Sequence, residues 1–483
     1  MTDLAYAPAS ELLRLMDRHE LTSRELLELY LGRIEKYNGD VNAVVYLDTE
    51  AARKRADIAD KARAEGQSWG VLHGLPMTVK DVHNVAGWPT TYGDPGDANW
   101  RPEKNSSLVD RLIGAGAIIF GKTNIPLHSA DFQSFNEVYG STRNPWDLAR
   151  SPGGSSGGSA AALASGFTPV ELGTDIAGSI RFPAHFCGVF GHKPTHGILS
   201  DEGNLRRGTW LASDLATAGP LTRSAADLEL LLDVLAGPDG APAKAWQLNL
   251  PGPRAVRLSD FRIGAIENSS VAPIDIAYGE VISQFIQSLE QAGASVQRDA
   301  HPSFDHAEAH DAYLKLLRGT GAGRMSAAEF NNVVEIAAGL SDSDRSYRAK
   351  LRRAQTQSHR SYIGAEEIRA RLNAEWTRFF CDFDILLCPV TLSAAYPVDE
   401  TTIREDRKIN VSGEQVDYND QLFWAGYSTM PSLPVTTIPV GSLSSGLPVG
   451  INIVGPYLED KTTLAFAKEA SRYVKFVPPP GFG

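Results

Sequence analysis

From residue 22 onward, polar and apolar positions alone outline a helix. Thr22-Ser23-Arg24-Glu25 has the form of a capping box, in which Thr22 accepts from the Glu25 N–H and the Glu25 side chain reaches back. Leu26, Leu27, Tyr30, Leu31 and Ile34 follow at the three- and four-residue spacing of one apolar stripe. Further along, apolar runs of strand length recur at 43–46, 76–79, 117–120, 262–266, 385–390, 435–440 and 449–454. Helical patterns lie between several of them, for instance 278–291, ended by Ala292-Gly293. Strands alternating with helices predict an α/β layered fold around a mixed sheet. The one break in composition is 237–257, rich in Pro, Gly and Ala, which reads as a linker or as a surface excursion between two halves of one sheet. Charged helical sequence over 341–376 reads as an exposed face.

Composition narrows the class. With 42% hydrophobic and 22% charged residues, disordered and fibrous chains are excluded. A length of 483 residues is enough for a large core without disulfides or metals. Forty-six basic against 58 acidic residues give a net charge of −12, with no basic block, so a nucleic-acid partner is not expected. Cys187, Cys381 and Cys388 are odd in number and lack CxxC spacing, which predicts buried reduced thiols and no zinc site. No run approaches the ~18 apolar residues that span a bilayer, and no secretory leader is evident, so the expectation is a soluble cytoplasmic protein.

Two motifs mislead. Gly116 to Thr123 satisfies GxxxxGK[ST], but its four intervening residues, Ala117 to Phe120, are themselves an apolar strand and Pro126 soon follows. A phosphate loop needs the strand first and a helix after it, so no nucleotide site is read here. Ser151-Pro-Gly-Gly-Ser155-Ser156-Gly-Gly-Ser159 contains GxSxG twice. A nucleophile elbow requires a strand just before it, whereas 144–150 reads as a turn. Histidines do follow, at 185, 192, 196, 301, 306, 310 and 359, so an α/β-hydrolase esterase stays open as an alternative.

A third segment carries more chemistry. In Gly173-Thr-Asp175-Ile176-Ala177-Gly178-Ser179-Ile-Arg181-Phe-Pro183, small residues before a serine let successive backbone N–H groups converge, as an oxyanion hole requires. Upstream, Lys80 ends the apolar run 75–79, where burial would lower its pKa and make it a competent base.

Lys80, GGSSGGS and GTDIAGSIRFP together resemble the amidase signature family of Ser-cisSer-Lys hydrolases, and the intervals of 75 residues from Lys80 to Ser155 and 24 from Ser155 to Ser179 agree. Weaker echoes lie at 21–26, 121–124, 187–188, 193–195 and 446–455. The resemblance implies the family's large mixed, twisted sheet covered by helices on both faces, in a single amidase domain over 1–483. Its catalytic core would lie at about 60–225 and 380–475, with a variable, lid-forming region at about 240–375. It further implies Ser179 as nucleophile, Ser155 as the bridging serine after a cis Gly154–Ser155 peptide, and Lys80 as base. Ile176, Ala177, Gly178 and Ser179 would supply the oxyanion hole, with Ser156, Asp175 and Arg181 in support and Ser129 lining the acyl site. One departure is Ala177, where the family more often has glycine; the hole survives if Ala177 sits at negative φ.

No cofactor or metal is implied. Family members include fatty acid amide hydrolases, aryl acylamidases, urethane-cleaving amidases and one component of glutamyl-tRNA amidotransferase. Phe423, Trp424, Tyr427 and Met430 would make an apolar wall, favouring a small hydrophobic amide, anilide or carbamate; ordinary core packing is the other reading of the same four residues. The expectation is an amidase, monomeric or homodimeric, acting on a small molecule away from membranes. An amidotransferase component releasing ammonia from glutamine within a complex, and a binding protein with a dead site, remain as alternatives.

Overall fold

The computed structural model describes residues 4–474 and 476–482. Among them eleven strands form one mixed sheet: β1 (Val44–Leu47), β2 (Pro76–Lys80), β3 (Ile118–Thr123), β4 (Val170–Asp175), β5 (Phe190–Lys193), β6 (Thr217–Thr222), β7 (Arg262–Ala265), β8 (Ser295–Arg298), β9 (Ile385–Pro389), β10 (Val435–Ser442) and β11 (Pro448–Val454). Their spatial order is β1-β3-β2-β4-β6-β5-β10-β11-β9-β7-β8. β2 lies between β3 and β4, parallel to both, with Lys80 opposite Thr123 and Val79 opposite Leu172. β4 then runs antiparallel to β6, Asp175 facing Thr217.

All seven runs read as strands are strands, shifted by a residue or a few at their ends. β4, β5, β6 and β8 were not foreseen. The first three are buried along nearly their whole length, so the polar–apolar alternation of a half-exposed strand is missing, and Gly173, Gly191, Gly219 and Pro220 interrupt their apolar runs.

Helix α1 (Ser23–Val41) has its capping box, with the Glu25 N–H 3.1 Å from Thr22 Oγ1 and the Thr22 N–H 2.9 Å from Glu25 Oε2. Its predicted stripe is buried. The helices that position the site are α2 (Gly157–Ala164), α3 (Arg181–Cys187), α4 (Ile276–Gln291), α5 (His306–Ala322), α6 (His359–Asp382) and α7 (Leu422–Thr429). The charged helical stretch over 341–376 holds two helices: Tyr347–Gln355, then α6, which starts afresh where Ser358 accepts from the Ser361 N–H.

Segment 237–257 is an excursion: 240–247 is exposed, and β6 before it and β7 after it belong to the same sheet. Cys187 and Cys388 are buried as expected, but Cys381 on α6 is exposed, which corrects the reading of three buried thiols. The GxxxxGK[ST] match is strand through Thr123, and its Lys122 is fully buried, donating to Asp81 Oδ1, Pro89 O and Thr90 Oγ1. Among the described residues no helix is long and apolar enough to cross a membrane.

Candidate active site

Lys80 stands at the end of β2 with no exposed surface. Its Nζ lies 2.7 Å from Ser155 Oγ, 2.8 Å from Thr174 Oγ1 and 3.0 Å from Ser156 Oγ. As an ammonium it donates to all three hydroxyls; as a free amine it donates to two and offers its lone pair to the third. Among the described residues no carboxylate touches it. Burial therefore brings its pKa down to about 7, against a weaker pull from the charges of Asp175 and Glu171.

The glycine-rich segment delivers the two serines. The Gly154–Ser155 peptide is cis. A Cβ at Gly154 would stand 2.5 Å from Asp131 O, and one at Gly158 2.4 Å from the Asn124 backbone nitrogen, so these glycines let the 124–134 loop press against the segment. Ser155 and Ser179 share one cavity of about 120 Å³, with Thr174, Asp175 and Ile176 also on its wall. Ser156 turns away from it. Its N–H donates to Ser179 O (3.0 Å) and its hydroxyl to Thr174 O (3.3 Å), tying the start of α2 to the loop that carries Ser179. That geometry sets the two adjacent serines apart, Ser155 on the cavity and Ser156 off it.

Asp175 and Arg181 brace the loop between β4 and α3. Asp175 Oδ1 accepts from the Gly178 N–H (2.8 Å) and Arg181 Nη2 (2.9 Å), and Oδ2 from the Ile180 N–H (3.0 Å) and Arg181 Nε (3.0 Å). Both side chains are fully buried. Burial alone would raise the Asp175 pKa, but the Arg181 charge and hydrogen bonds hold it well below the usual carboxylate range. Arg181 also donates to Ala425 O, Ser428 Oγ and Thr429 Oγ1, fastening the loop to α7.

The Gly178 N–H is thus already used, which removes it from the four oxyanion donors expected from sequence. The N–H groups of Ile176, Ala177 and Ser179 have no acceptor among the described residues. Gly178 sits at φ +94°, whereas Ala177 stays out of the positive-φ region. The condition set for the alanine is met.

Ser129 lines the same cavity, its hydroxyl buried and without a partner among the described residues, and both it and His128 adopt positive φ (57° and 54°). Such backbone conformations in non-glycine residues gather at functional sites. The aromatic wall is not there. Phe423, Tyr427 and Met430 surround a separate cavity of about 20 Å³ with His306, Tyr313 and Trp376, and Trp424 is fully buried with its indole N–H on Ala272 O. Phe423 and Tyr427 pack against His306 of α5 and Trp376 of α6, and Trp424 against the 272 loop, so of the two readings of these residues core packing holds and the funnel wall does not.

Among the described residues no downstream histidine hydrogen-bonds to Ser155, Ser156 or Ser179. His185 lies between Ser393 O and the Gly450 N–H, and His192 between Thr436 and Asp460. With no strand leading into 151–156, an α/β-hydrolase elbow is absent from these residues. Sequence reading missed Thr174, the third hydroxyl on Lys80, and Glu171, a fully buried carboxyl that accepts from Thr78 and whose pKa burial raises to about 8. Recognising β2 and β4 as neighbours would have exposed both.

The sequence profile of the Amidase family matches residues 25–464. The glutamyl-tRNA(Gln) amidotransferase of Acidothermus cellulolyticus has an A subunit that is 31% identical, over 95% of this chain and 93% of its own length. A solved structure of an amidase superposes with a TM-score of 0.79 at 30% identity, covering 96% of this chain and 99% of the other. A bacterial aryl acylamidase of the amidase signature family shares the fold, with a TM-score of 0.81 at 24% identity over 97% and 96% of the two chains. A profile match across most of the chain, on this sheet, makes the chain a member of the Amidase family of hydrolases that act on carbon–nitrogen bonds.

Proposed function

We propose that this protein is a serine amidohydrolase that cleaves a small amide through an acyl-enzyme on Ser179. The observation that carries the reading is Lys80: buried, free of any carboxylate contact among the described residues, and 2.7 Å from a serine that shares a cavity with Ser179. A lysine with a pKa of about 7 is substantially a free amine at neutral pH. Its lone pair takes the Ser155 proton while Ser155 Oγ takes that of Ser179, whose Oγ bonds to the substrate carbonyl carbon. The carbonyl oxygen gains negative charge and is met by the N–H groups of Ile176, Ala177 and Ser179. The carbon–nitrogen bond then breaks as the proton returns through Ser155 to the leaving nitrogen. Water repeats the sequence on the acyl ester, releasing the acid and restoring Ser179. Ser156, Asp175 and Arg181 hold the parts in place, and Ser129 borders the acyl group.

The chain is proposed to work as a single amidase domain, as monomer or homodimer, its eleven-stranded sheet supporting that view. Free thiols at all three cysteines support a reducing, cytoplasmic setting. With Phe423, Trp424, Tyr427 and Met430 outside the cavity, nothing in the wall favours an anilide or carbamate over other small amides, and carbamates and esters belong in the same screen. A second reading, release of ammonia from glutamine within a complex, is favoured by the 31% identity to an amidotransferase component.

Intact mass after fluorophosphonate treatment tests the first reading. A single adduct mapped to Ser179, absent from Ser179→Ala, together with amide hydrolysis by the isolated chain, is the expected result. Equal labelling of Ser179→Ala contradicts it. Labelling of Ser179 with hydrolysis only in the presence of the other amidotransferase components favours the second.

A further inference from the structure

A second cavity of about 150 Å³ adjoins the first, sharing Ser129, Ile176 and Ser179 with it, and three arginines reach its wall: Arg318, Arg324 and Arg404. Arginines near them are matched with acids: Arg348 with Asp406, Arg352 with Glu405 and Arg407 with Asp131. Among the described residues none of the three has a carboxylate partner. Arg318 is half-buried, its Nε is buried without an acceptor, and its guanidinium lies 5.6 Å from the Tyr347 ring centre. Arg404 donates to Ala130 O and Asn419 Oδ1 and stacks 4.5 Å from the Phe132 ring centre. Arg324 is exposed and makes no side-chain hydrogen bond among the described residues.

The acids in reach do not neutralise them. Asp131, on the same wall, is taken up by Arg407 and by the Tyr418 hydroxyl, and Asp201, on the wall of the first cavity that Arg324 also reaches, forms no ion pair with it among the described residues. In a chain of net charge −12, three guanidiniums on one cavity wall without an ion-pair partner among the described residues stand out. Like charges gathered in a partly dry cavity repel, and the arrangement is relieved when an anion enters. Planar guanidiniums match a carboxylate through paired N–H donors. All three come from outside the recognisable motifs: Arg318 and Arg324 from the end of α5 and the turn after it, Arg404 from the loop before α7.

We propose that Arg318, Arg324 and Arg404 form an anion subsite beside Ser179 that takes a carboxylate carried by the amide substrate. The inference rests on the amidohydrolase reading and supplies its substrate class: amides of dicarboxylic acids or other carboxylate-bearing amides, in place of the uncharged hydrophobic amides expected from sequence. Hydrolysis there gives a product with one more carboxylate than the substrate.

The test uses two matched 4-nitroanilides, succinyl and butyryl, which differ in a terminal carboxylate. The expected kcat/KM ratio favours succinyl by ~10- to 100-fold, the range for a charge-assisted hydrogen bond. Arg324→Gln, at an exposed position that does not endanger the fold, and Arg318→Met should each lower that ratio by about tenfold, and added salt should lower it further. Independently of turnover, succinate should slow fluorophosphonate labelling of wild type more than butyramide does, and lose that effect in Arg324→Gln. A ratio of one or below in wild type, or a ratio unmoved by both substitutions, overturns the subsite while leaving the amidase reading intact. Hydrolysis of either anilide by Ser179→Ala at the wild-type rate overturns the amidase reading itself.

Discussion

Lys80 ends a strand whose every residue is buried, and the three groups within hydrogen-bond distance of its Nζ are hydroxyls. Hydroxyls solvate an amine without fixing its charge, so burial decides the protonation state. The stability consequence has a definite sign. Unfolded, the lysine titrates near 10.4; folded, at about 7. Between these values the unfolded chain binds the extra proton, so this group makes the fold more stable as pH rises from 7 to 10. Lys193, also brought to about 7 by burial, acts in the same direction, and Glu171, raised to about 8, acts in the opposite one below that pH. Subtracting the urea-unfolding curve of Lys80→Met isolates the first term. The wild-type-minus-mutant difference should rise by about 1.4 kcal/mol per pH unit across that window; parallel curves would contradict a neutral Lys80. Gly178 offers a steric test. At φ +94°, with an added Cβ 2.6 Å from the Phe182 ring, Gly178→Ala must move the nucleophile loop. A loss of about 10²-fold or more in kcat is expected, as when an oxyanion donor is misplaced; near-wild-type turnover would mean the loop is not the hole. At this scale Lys80, Ser155 and Ser179 were legible because each stands in a motif with its own chemical logic. Thr174 and Glu171 were not, because their importance arises only from the pairing of β2 with β4. The Gly178 N–H was assigned to the substrate when a neighbouring carboxylate already holds it.

Arg181 joins elements that sequence treats separately. It is placed by α3, pairs with Asp175 at the end of β4, and donates three bonds to α7. Replacing it with methionine strands a buried carboxylate and should cost about 3–5 kcal/mol in urea unfolding. A cost below about 1 kcal/mol, the range of a surface pair, would show that the brace is dispensable. The helix it grips also explains why core packing is the reading of the aromatic segment that holds. A Cβ at Gly426 would stand 2.3 Å from the Tyr313 ring, so glycine lets α7 and α5 meet closely and carries Phe423 and Tyr427 into the core. An aromatic cluster at helical spacing looks the same in sequence whether it lines a funnel or fills an interior. The strands divide in a similar way: runs such as 385–390 declare themselves by continuous apolar residues, whereas β6, with Gly219 and Pro220, is strand only because β4 and β5 flank it.

Across the whole molecule, the chain before residue 237 supplies one side of the sheet and the chain after it the other, and the two meet where β5 lies beside β10. β5 pairs with β10, and β10 with β11, while the segment between crosses the surface. Lys244 is exposed in that segment. Limited trypsin digestion should cut after Lys244 among the first sites, and the two fragments should co-elute and keep a reactive Ser179. Fragments that separate without denaturant would contradict the shared sheet. The middle region, where family motifs are weakest, also reaches the cavities beside Ser179. Tyr313 on α5 donates to Ile176 O (3.0 Å), and the end of α5 brings Arg318 to the cavity beside Ser179. A net charge of −12 argues against nucleic acid as a partner, yet it could not reveal a local cluster of three arginines that only the fold assembles.

The central claim is that a neutral Lys80 activates Ser179 through Ser155, and the pH dependence of fluorophosphonate labelling at Ser179 reads it without a substrate. The second-order rate constant should rise with pH along a single limb with an apparent pKa near 7 and level off above it, since the base works only when unprotonated. Lys80→Met should label far more slowly and show no such limb. A limb near 10, or one that persists unchanged in Lys80→Met, would contradict the account.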